Sequence, residues 1–293
     1  VTAAAGGPVP LVLLHGLTDS SACWPLVVDR YAGVGGRRVV ALDARGHGGV
    51  PVPDEPFTVA ALAADAAAAL RALDLGPAVV LGHSMGGVTA QELALTAPDL
   101  VAALVLEDPA WRESAGDAAR ASDAAGAADD ARLLGLDDAG STGATAGGVP
   151  VLDDPGRPEW LAGAVDALAG LTVEQVAARG RIDNPGWSDA EIQGWADAKT
   201  RVDPRLVAVP HDWTARRWVE ALADVSVPVT LLTVGPGRGV VTEAQAARAA
   251  QVLGDRLTHV RVPDAGHNIR RDAPEAFFAA LDAELARADA AAA

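Results

Sequence analysis

The chain has 293 residues, half of them hydrophobic, enough for one large α/β domain or two small ones with a substantial core. Acidic residues outnumber basic ones 39 to 23, a formal charge of −16, and such a surface repels nucleic acid and anionic membranes, so neither is an expected partner. The single cysteine, Cys23, excludes an intrachain disulfide and fits a cytoplasmic setting. No apolar run approaches the ~20 residues of a membrane span, and no Cys or His cluster has metal-ligand spacing. The N-terminus lacks a basic region followed by an apolar one, so no signal peptide is expected. The chain begins without Met, and an upstream piece is expected to have been removed.

Short apolar runs recur along the chain. They are 9–14 (VPLVLL), 38–42 (RVVAL), 78–81 (AVVL), 101–106 (VAALVL), 227–234 (VPVTLLTV) and 257–262 (LTHVRV). Each reads as a strand covered on both faces, because Val and Leu do not alternate with polar residues. Helical segments lie between them at 58–73, 86–96, 242–253 and 273–288. The third opens with Thr242 and Gln245 at capping-box spacing, and the last has Pro274 in its first turn. Strand then helix, repeated, predicts a parallel sheet with crossovers. From Trp111 to about Glu220 no strand is evident. This stretch holds Trp160, Trp187, Trp195, Trp213 and Trp218, and begins with an Ala/Asp/Gly-rich run that reads in part as a loop. It is too long for a structureless connection, so a helical insertion is expected.

The run "LGHSMGG" fits G-x-S-x-G. A strand precedes Ser84 and a helix follows it, the context that distinguishes a nucleophile elbow from a chance match. Glycines flank the serine at the positions where so sharp a turn leaves no room for side chains. His83 adjoins Ser84, and its ring is expected to point away from the hydroxyl. In "LLHGL", His15 and Gly16 shape the loop after the first strand, so that the amide of Leu17 can join that of Met85 as an oxyanion hole. His47, in a glycine turn, reads as structural. His267 follows the last strand, at the carboxyl edge of the same sheet, and is the expected general base.

With these pieces in place, the chain resembles the α/β-hydrolase-fold enzymes over nearly all its length. The resemblance lies in "LVLLHGLTDSSACW", "VVALDARGHG", "LGHSMGGVTAQELALTAPDLV", "LVLEDPAW" and "VPDAGHNIRRDAPEAF". It implies a mostly parallel twisted sheet with helices on both faces and a helical cap. The core would comprise 1–110 and 220–293, and the cap 111–219. The family's commonest acid site holds Arg238 here. The nearby Glu243 is accounted for by its place in the first turn of a capped helix. The family's second acid site, at the end of the strand after the nucleophile helix, offers Asp108 and Glu107. Successive strand residues face opposite ways, so one of the two is expected to reach His267.

A serine nucleophile implies an acyl-enzyme formed on Ser84 and cleared by water, with an ester, lactone or thioester of medium-sized apolar character as substrate. It argues against haloalkane dehalogenases and epoxide hydrolases, which use a carboxylate. C–C hydrolases, cofactor-free haloperoxidase-like enzymes, a lyase-type addition and a non-catalytic binding protein on the same scaffold remain alternatives. Candidate substrate contacts are Gly16, Trp24, His83, Trp111 and Trp187. A small-molecule substrate is the expected partner, with a homodimer left open, and no cofactor or metal is expected.

Overall fold

The computed structural model describes residues 7–34, 36–112, 145–154 and 156–293. The Ala/Asp/Gly-rich run at 113–144 lies outside the described residues. Six strands form the central sheet: β1 (Leu11–Leu14), β2 (Val39–Leu42), β3 (Ala78–His83), β4 (Val101–Glu107), β5 (Val229–Thr233) and β6 (Leu257–Arg261). Their order is β6-β5-β4-β3-β1-β2, and every neighbouring pair is parallel. All six coincide with the expected runs, trimmed or extended by one or two residues.

The apolar runs are continuous because both faces of the central strands are covered. Val12, Leu14, Val80, Leu104, Leu106 and Leu231 face one core layer, with helices α1 (Val59–Ala72) and α2 (Met85–Thr96) packed on it. Leu11, Leu13, Val79, Leu81, Val105 and Leu232 face the other. The edge strands β2 and β6 are only partly buried.

After β4 the insertion supplies α3 (Glu159–Leu168), α4 (Val173–Asp183) and α5 (Asp189–Thr200). A Thr172–Gln175 capping box starts α4, and the Ser188 hydroxyl accepts the Glu191 amide at the start of α5. Val176, Ala177, Ile192 and Trp195 give this pair its own small core. Helix α5 sits on the loop after β1: a Cβ on Gly194 would stand 2.1 Å from the Ala22 carbonyl oxygen, so only glycine permits the approach. The expectation of no strand in the insertion needs one correction. His211–Asp212 pairs with Phe57–Thr58, and Thr145–Ala146 with Val149–Pro150. Two-residue strands are too short to leave a period in the sequence.

Two further helices complete the layers. α6 (Glu243–Leu253) joins the α1/α2 face, with Thr242 and Gln245 bonded reciprocally as their spacing predicts. α7 (Pro274–Ala292) covers the opposite face through Phe277, Leu281 and Leu285. Among the described residues no helix is long and apolar enough to cross a membrane. The order reverses at β1, which lies between β2 and β3. The loops at the carboxyl ends of β1 and β3 therefore open a crevice there.

Candidate active site

Ser84 stands between β3 and α2 with φ 52° and ψ −113°, a left-handed conformation rare for a residue with a side chain. Holding it costs on the order of 1–3 kcal/mol, and the surroundings enforce it. A Cβ on Gly82 would stand 2.1 Å from the Gly86 carbonyl oxygen, and one on Gly86 would stand 2.0 Å from that of Leu14. The chain can cross itself here only through glycine. The Ser84 amide donates to the Glu107 carbonyl at 3.0 Å, and its own carbonyl accepts from Ala110 at 3.1 Å. A serine at a helix N-terminus ordinarily caps it with its hydroxyl. The Ser84 hydroxyl does not, which leaves it available for other chemistry.

The loop after β1 lies directly over this turn. A Cβ on Gly16 would be 3.4 Å from the Ser84 Cβ and 2.9 Å from the His83 ring. Two histidines fix the loop. Nε2 of His15 accepts the Ala44 amide at 3.0 Å, and Nε2 of His47 accepts the Thr18 amide at 3.0 Å. Each ring must therefore carry its proton on Nδ1, which donates to the carbonyl of Gly16 or Arg45. A second proton would place two donors face to face. Burial lowers the pKa of both, that of His47 to about 3. Both are structural, as expected for His47. Among the described residues neither the Leu17 nor the Met85 amide has an acceptor.

Asp108 and His267 meet across the carboxyl edge of the sheet. Nδ1 of His267 lies 2.6 Å from Oδ2 of Asp108, and both side chains are buried. The carboxylate can only accept, so Nδ1 carries the proton and Nε2 keeps its lone pair. Asp108 also has positive φ, 40°. Its two oxygens accept the amides of Val240 and Val241 at 2.8 and 3.0 Å. The loop that holds the commonest family acid thus contributes amides to an acid on another strand. Arg238, at the usual acid position, is turned to the Asp264 carbonyl at the surface.

Glu107 points elsewhere. Its carboxylate accepts the Arg270 amide at 2.7 Å and the Arg270 guanidinium at 3.1 Å, so of the two acid candidates only Asp108 meets the histidine. This pair belongs to a buried network the sequence reading missed. Arg270 and Arg271 both reach Asp19, at 3.0 and 3.3 Å. Arg271 meets Glu191 of α5 at 3.1 Å, and Lys199 of α5 lies 3.4 Å from Asp19. Burial alone would raise the Asp19 pKa, but Arg271, Lys199 and Arg270 outweigh it and hold the carboxyl well below its ordinary range. At Glu107 burial prevails over Arg270, and the pKa is raised. Burial pushes the neighbouring Cys23 thiol up to about 12, in keeping with a small buried hydrophobe. The tandem arginines in "HNIRRD", buried beside an isoleucine, were the signal for this network.

The remaining candidates are placed as follows. The His83 ring packs 4.6 Å from that of His267, with Nδ1 3.4 Å from Glu107. Burial, with Arg270 and His267 nearby, holds its pKa well below the ordinary value. The rings of Trp24 and Trp187 are covered by the guanidinium groups of Arg270 and Arg271, at 4.4 and 4.8 Å. Their faces serve the ion network. Trp111 is buried and donates to Gln91 at 2.8 Å.

The network sets a stability test. Arg270→Met leaves Glu107 without its main cation in a site that excludes water, and a loss of about 3–5 kcal/mol is expected. Urea unfolding measures it. The double substitution Glu107→Leu/Arg270→Met should recover part of the loss, and a single variant within about 1 kcal/mol of the parent would show that the pair is not held as described.

The family model for the alpha/beta hydrolase fold matches residues 9–270, and the chain belongs to that family. Over 102 residues, 35% of this chain and 32% of the relative, it is 44% identical to the sn-1-specific diacylglycerol lipase ABHD11 of Xenopus laevis. Over 105 residues, 36% and 37% of the two chains, it is 40% identical to a putative non-heme haloperoxidase of Mycobacterium phage D29. The matched region thus spans about a third of the curated relatives' length. Among solved structures it is similar to the esterase RhEst1 of Rhodococcus sp. ECU1013, with a TM-score of 0.65 at 22% identity over 96% of this chain and 92% of that one. Similarity at that identity speaks for the fold.

Proposed function

We propose that the protein is a serine hydrolase acting on carboxylic esters, lactones or thioesters, with Ser84, His267 and Asp108 as its triad. The observation that carries this reading is the buried 2.6 Å contact between Asp108 and His267, whose ring lies 4.6 Å from that of His83, the residue before a serine whose hydroxyl caps nothing. Ser84 Oγ attacks the acyl carbon as Nε2 of His267 takes its proton. The carbonyl oxygen becomes an oxyanion, met by the amides of Leu17 and Met85. Collapse breaks the bond to the leaving group, which receives the proton from His267. Water then repeats the sequence on the acyl-enzyme, releasing the acid and restoring Ser84. Asp108 keeps the imidazole in one tautomer and balances its transient charge. The helical insertion serves as the cap, docked on the loop that carries Leu17.

Arg238 at the usual acid site would favour a non-catalytic binding protein on this scaffold, but Asp108 takes up the amides of the same loop. A fluorophosphonate probe tests the proposal. The parent is expected to label at one site and Ser84→Ala not at all, with hydrolysis of 4-nitrophenyl esters lost in parallel. Labelling that survives in Ser84→Ala would assign the nucleophile elsewhere.

A further inference from the structure

A folded chain seldom leaves buried polar atoms without partners, because each then loses its hydrogen bonds to water with nothing in return. Of the nine such side-chain atoms among the described residues, three gather in one place: Nη1 of Arg112, Nδ1 of His211 and Nε1 of Trp213. The Arg112 guanidinium lies 5.9 Å from the Trp213 ring centroid, and the Trp213 and His211 rings are 6.1 Å apart. Trp213 and His211 are 4% and 6% exposed, so bulk water does not satisfy them.

Arg112, which is half-buried, differs from the buried arginines Arg270 and Arg271. Arg270 and Arg271 are each met by two carboxylates. Arg112 meets none among the described residues, in a chain with 39 acidic side chains. With nothing to offset burial, its pKa falls to about 10. Nε2 of His211 bonds the Leu206 carbonyl at 2.8 Å and so holds the ring proton. That leaves Nδ1 to accept from a ligand, or to take up a proton when an anion arrives. Burial lowers its pKa, with the Leu206 carbonyl and the Asp154 carboxylate opposing and Arg157 and Arg112 adding to the effect. Trp213 Nε1 and Arg112 Nη1 can only donate. The cluster therefore offers two donors, and the charges acting on His211, those of Arg112, Arg157 and the Asp154 carboxylate, sum to a single positive charge. That matches a carboxylate, which has two acceptor oxygens and one negative charge, better than a phosphate dianion.

The cluster adjoins the reaction centre. The Ala110 amide is bonded to the Ser84 carbonyl, and Arg112 is two residues further on, its Cα within ~7 Å of that of Ala110. On the other side Trp213 packs on Phe57 at 5.7 Å and Phe57 on His47 at 6.2 Å. His47 in turn holds the loop that carries Leu17. The three groups thus connect to the loops on both sides of Ser84.

We propose that Arg112, Trp213 and His211 form a carboxylate subsite, and that the substrate carries a free carboxylate remote from the bond cleaved, as in the monoester of a short dicarboxylic acid. Its place in turnover rests on the hydrolase reading above, whereas binding of the anion does not. Because the overall surface is strongly anionic, selection for such a substrate must be local.

The test compares mono-4-nitrophenyl adipate with 4-nitrophenyl hexanoate, which share a six-carbon acyl chain and differ in the terminal carboxylate. The parent is expected to favour the adipate by roughly tenfold or more in kcat/KM, the range of one charge-assisted hydrogen bond. Arg112→Met should lose about tenfold or more on the adipate and less than about threefold on the hexanoate. Trp213→Phe, which keeps the ring and removes the N–H, should lose a smaller part of the same preference. Equal parent rates on the two esters would overturn the subsite, as would a loss in Arg112→Met that is the same for both. Calorimetric titration with adipate itself separates the two proposals. If Ser84 does not label but the parent binds adipate and Arg112→Met does not, the subsite stands and the hydrolase reading fails. A parent that binds no adipate ends the subsite whatever its esterase activity.

Discussion

Asp108→Asn is expected to reduce kcat by about 10⁴-fold while leaving the protein folded, the scale on which a triad fails when its histidine is held in the wrong tautomer. The asparagine carbonyl oxygen, in the place of Oδ1, can still accept the Val241 amide, whereas the NH2 in the place of Oδ2 leaves the Val240 amide without its acceptor. Its amide group would then face Nδ1 of His267. An N–H there selects the ring form with the proton on Nε2, which cannot take the proton of Ser84. Glu107→Gln is the matched control. It keeps an acceptor for the Arg270 amide but removes a charge opposite the guanidinium. Its main expected effect is on unfolding, with kcat changed by less than about tenfold because it does not orient the base. Stopped assays on a generic ester and urea titrations of the same two preparations give the comparison. Equal losses of kcat in both variants, or a larger one in Glu107→Gln, would remove Asp108 from the role of acid.

The second large effect is on stability in mild acid. His15, His47, His83 and His211 are buried, and burial lowers all four pKa values. In the unfolded chain each takes up its proton near pH 6.5. Below that pH the unfolded state binds protons the folded state refuses, so stability falls as pH falls, until the depressed folded value of each histidine is reached. Each contributes up to about 1.4 kcal/mol per pH unit across that window, so together the four approach a slope of about four protons. Glu107, whose pKa is raised, works against this trend at the acid end, and Asp19, whose pKa is lowered, loses its contribution only at still lower pH. Melting temperatures between pH 7.5 and 4.5 should therefore drop steeply below about pH 6. His47→Gln, which retains an acceptor for the Thr18 amide, should flatten the slope by about one proton. A melting temperature that holds steady from pH 7 to pH 5 would contradict the neutral, buried state of these rings.

Much of this was legible in the sequence, for physical reasons that differ from part to part. The central strands were readable because both sheet faces are covered there, which keeps their runs mostly apolar. The turn at Ser84 was readable because a Cβ at 82 or 86 would stand 2.0–2.1 Å from a backbone carbonyl oxygen, which leaves glycine as the one residue that fits. Asp108 and Glu107 could be narrowed to a pair, because alternation forces neighbours apart, but not to one, because the deciding groups lie in distant segments. Arg270 stands 163 positions from Glu107, and the amide of Val240 stands 132 from Asp108. The same distance in sequence hid the network of Asp19, Glu191, Lys199 and the two arginines. The helix starts at Thr172 and Ser188 were written in the chain, since "TVEQ" and "SDAE" place a hydroxyl three residues before Gln or Glu. The orphaned atoms of Arg112, His211 and Trp213 leave no trace in composition or period, because what defines them is the lack of a neighbour.

The division of charge in the buried network bears on how the insertion can change. Asp19 and Glu107 of the scaffold face Arg270 and Arg271 of the scaffold, two of each sign, while α5 brings Glu191 and Lys199, one of each. Among the described residues, each side of the network thus supplies as many positive as negative groups. A shift of α5 would leave two carboxylates facing two guanidinium groups beneath it. The charges beneath His267 can therefore stay paired while the helices above them are remodelled.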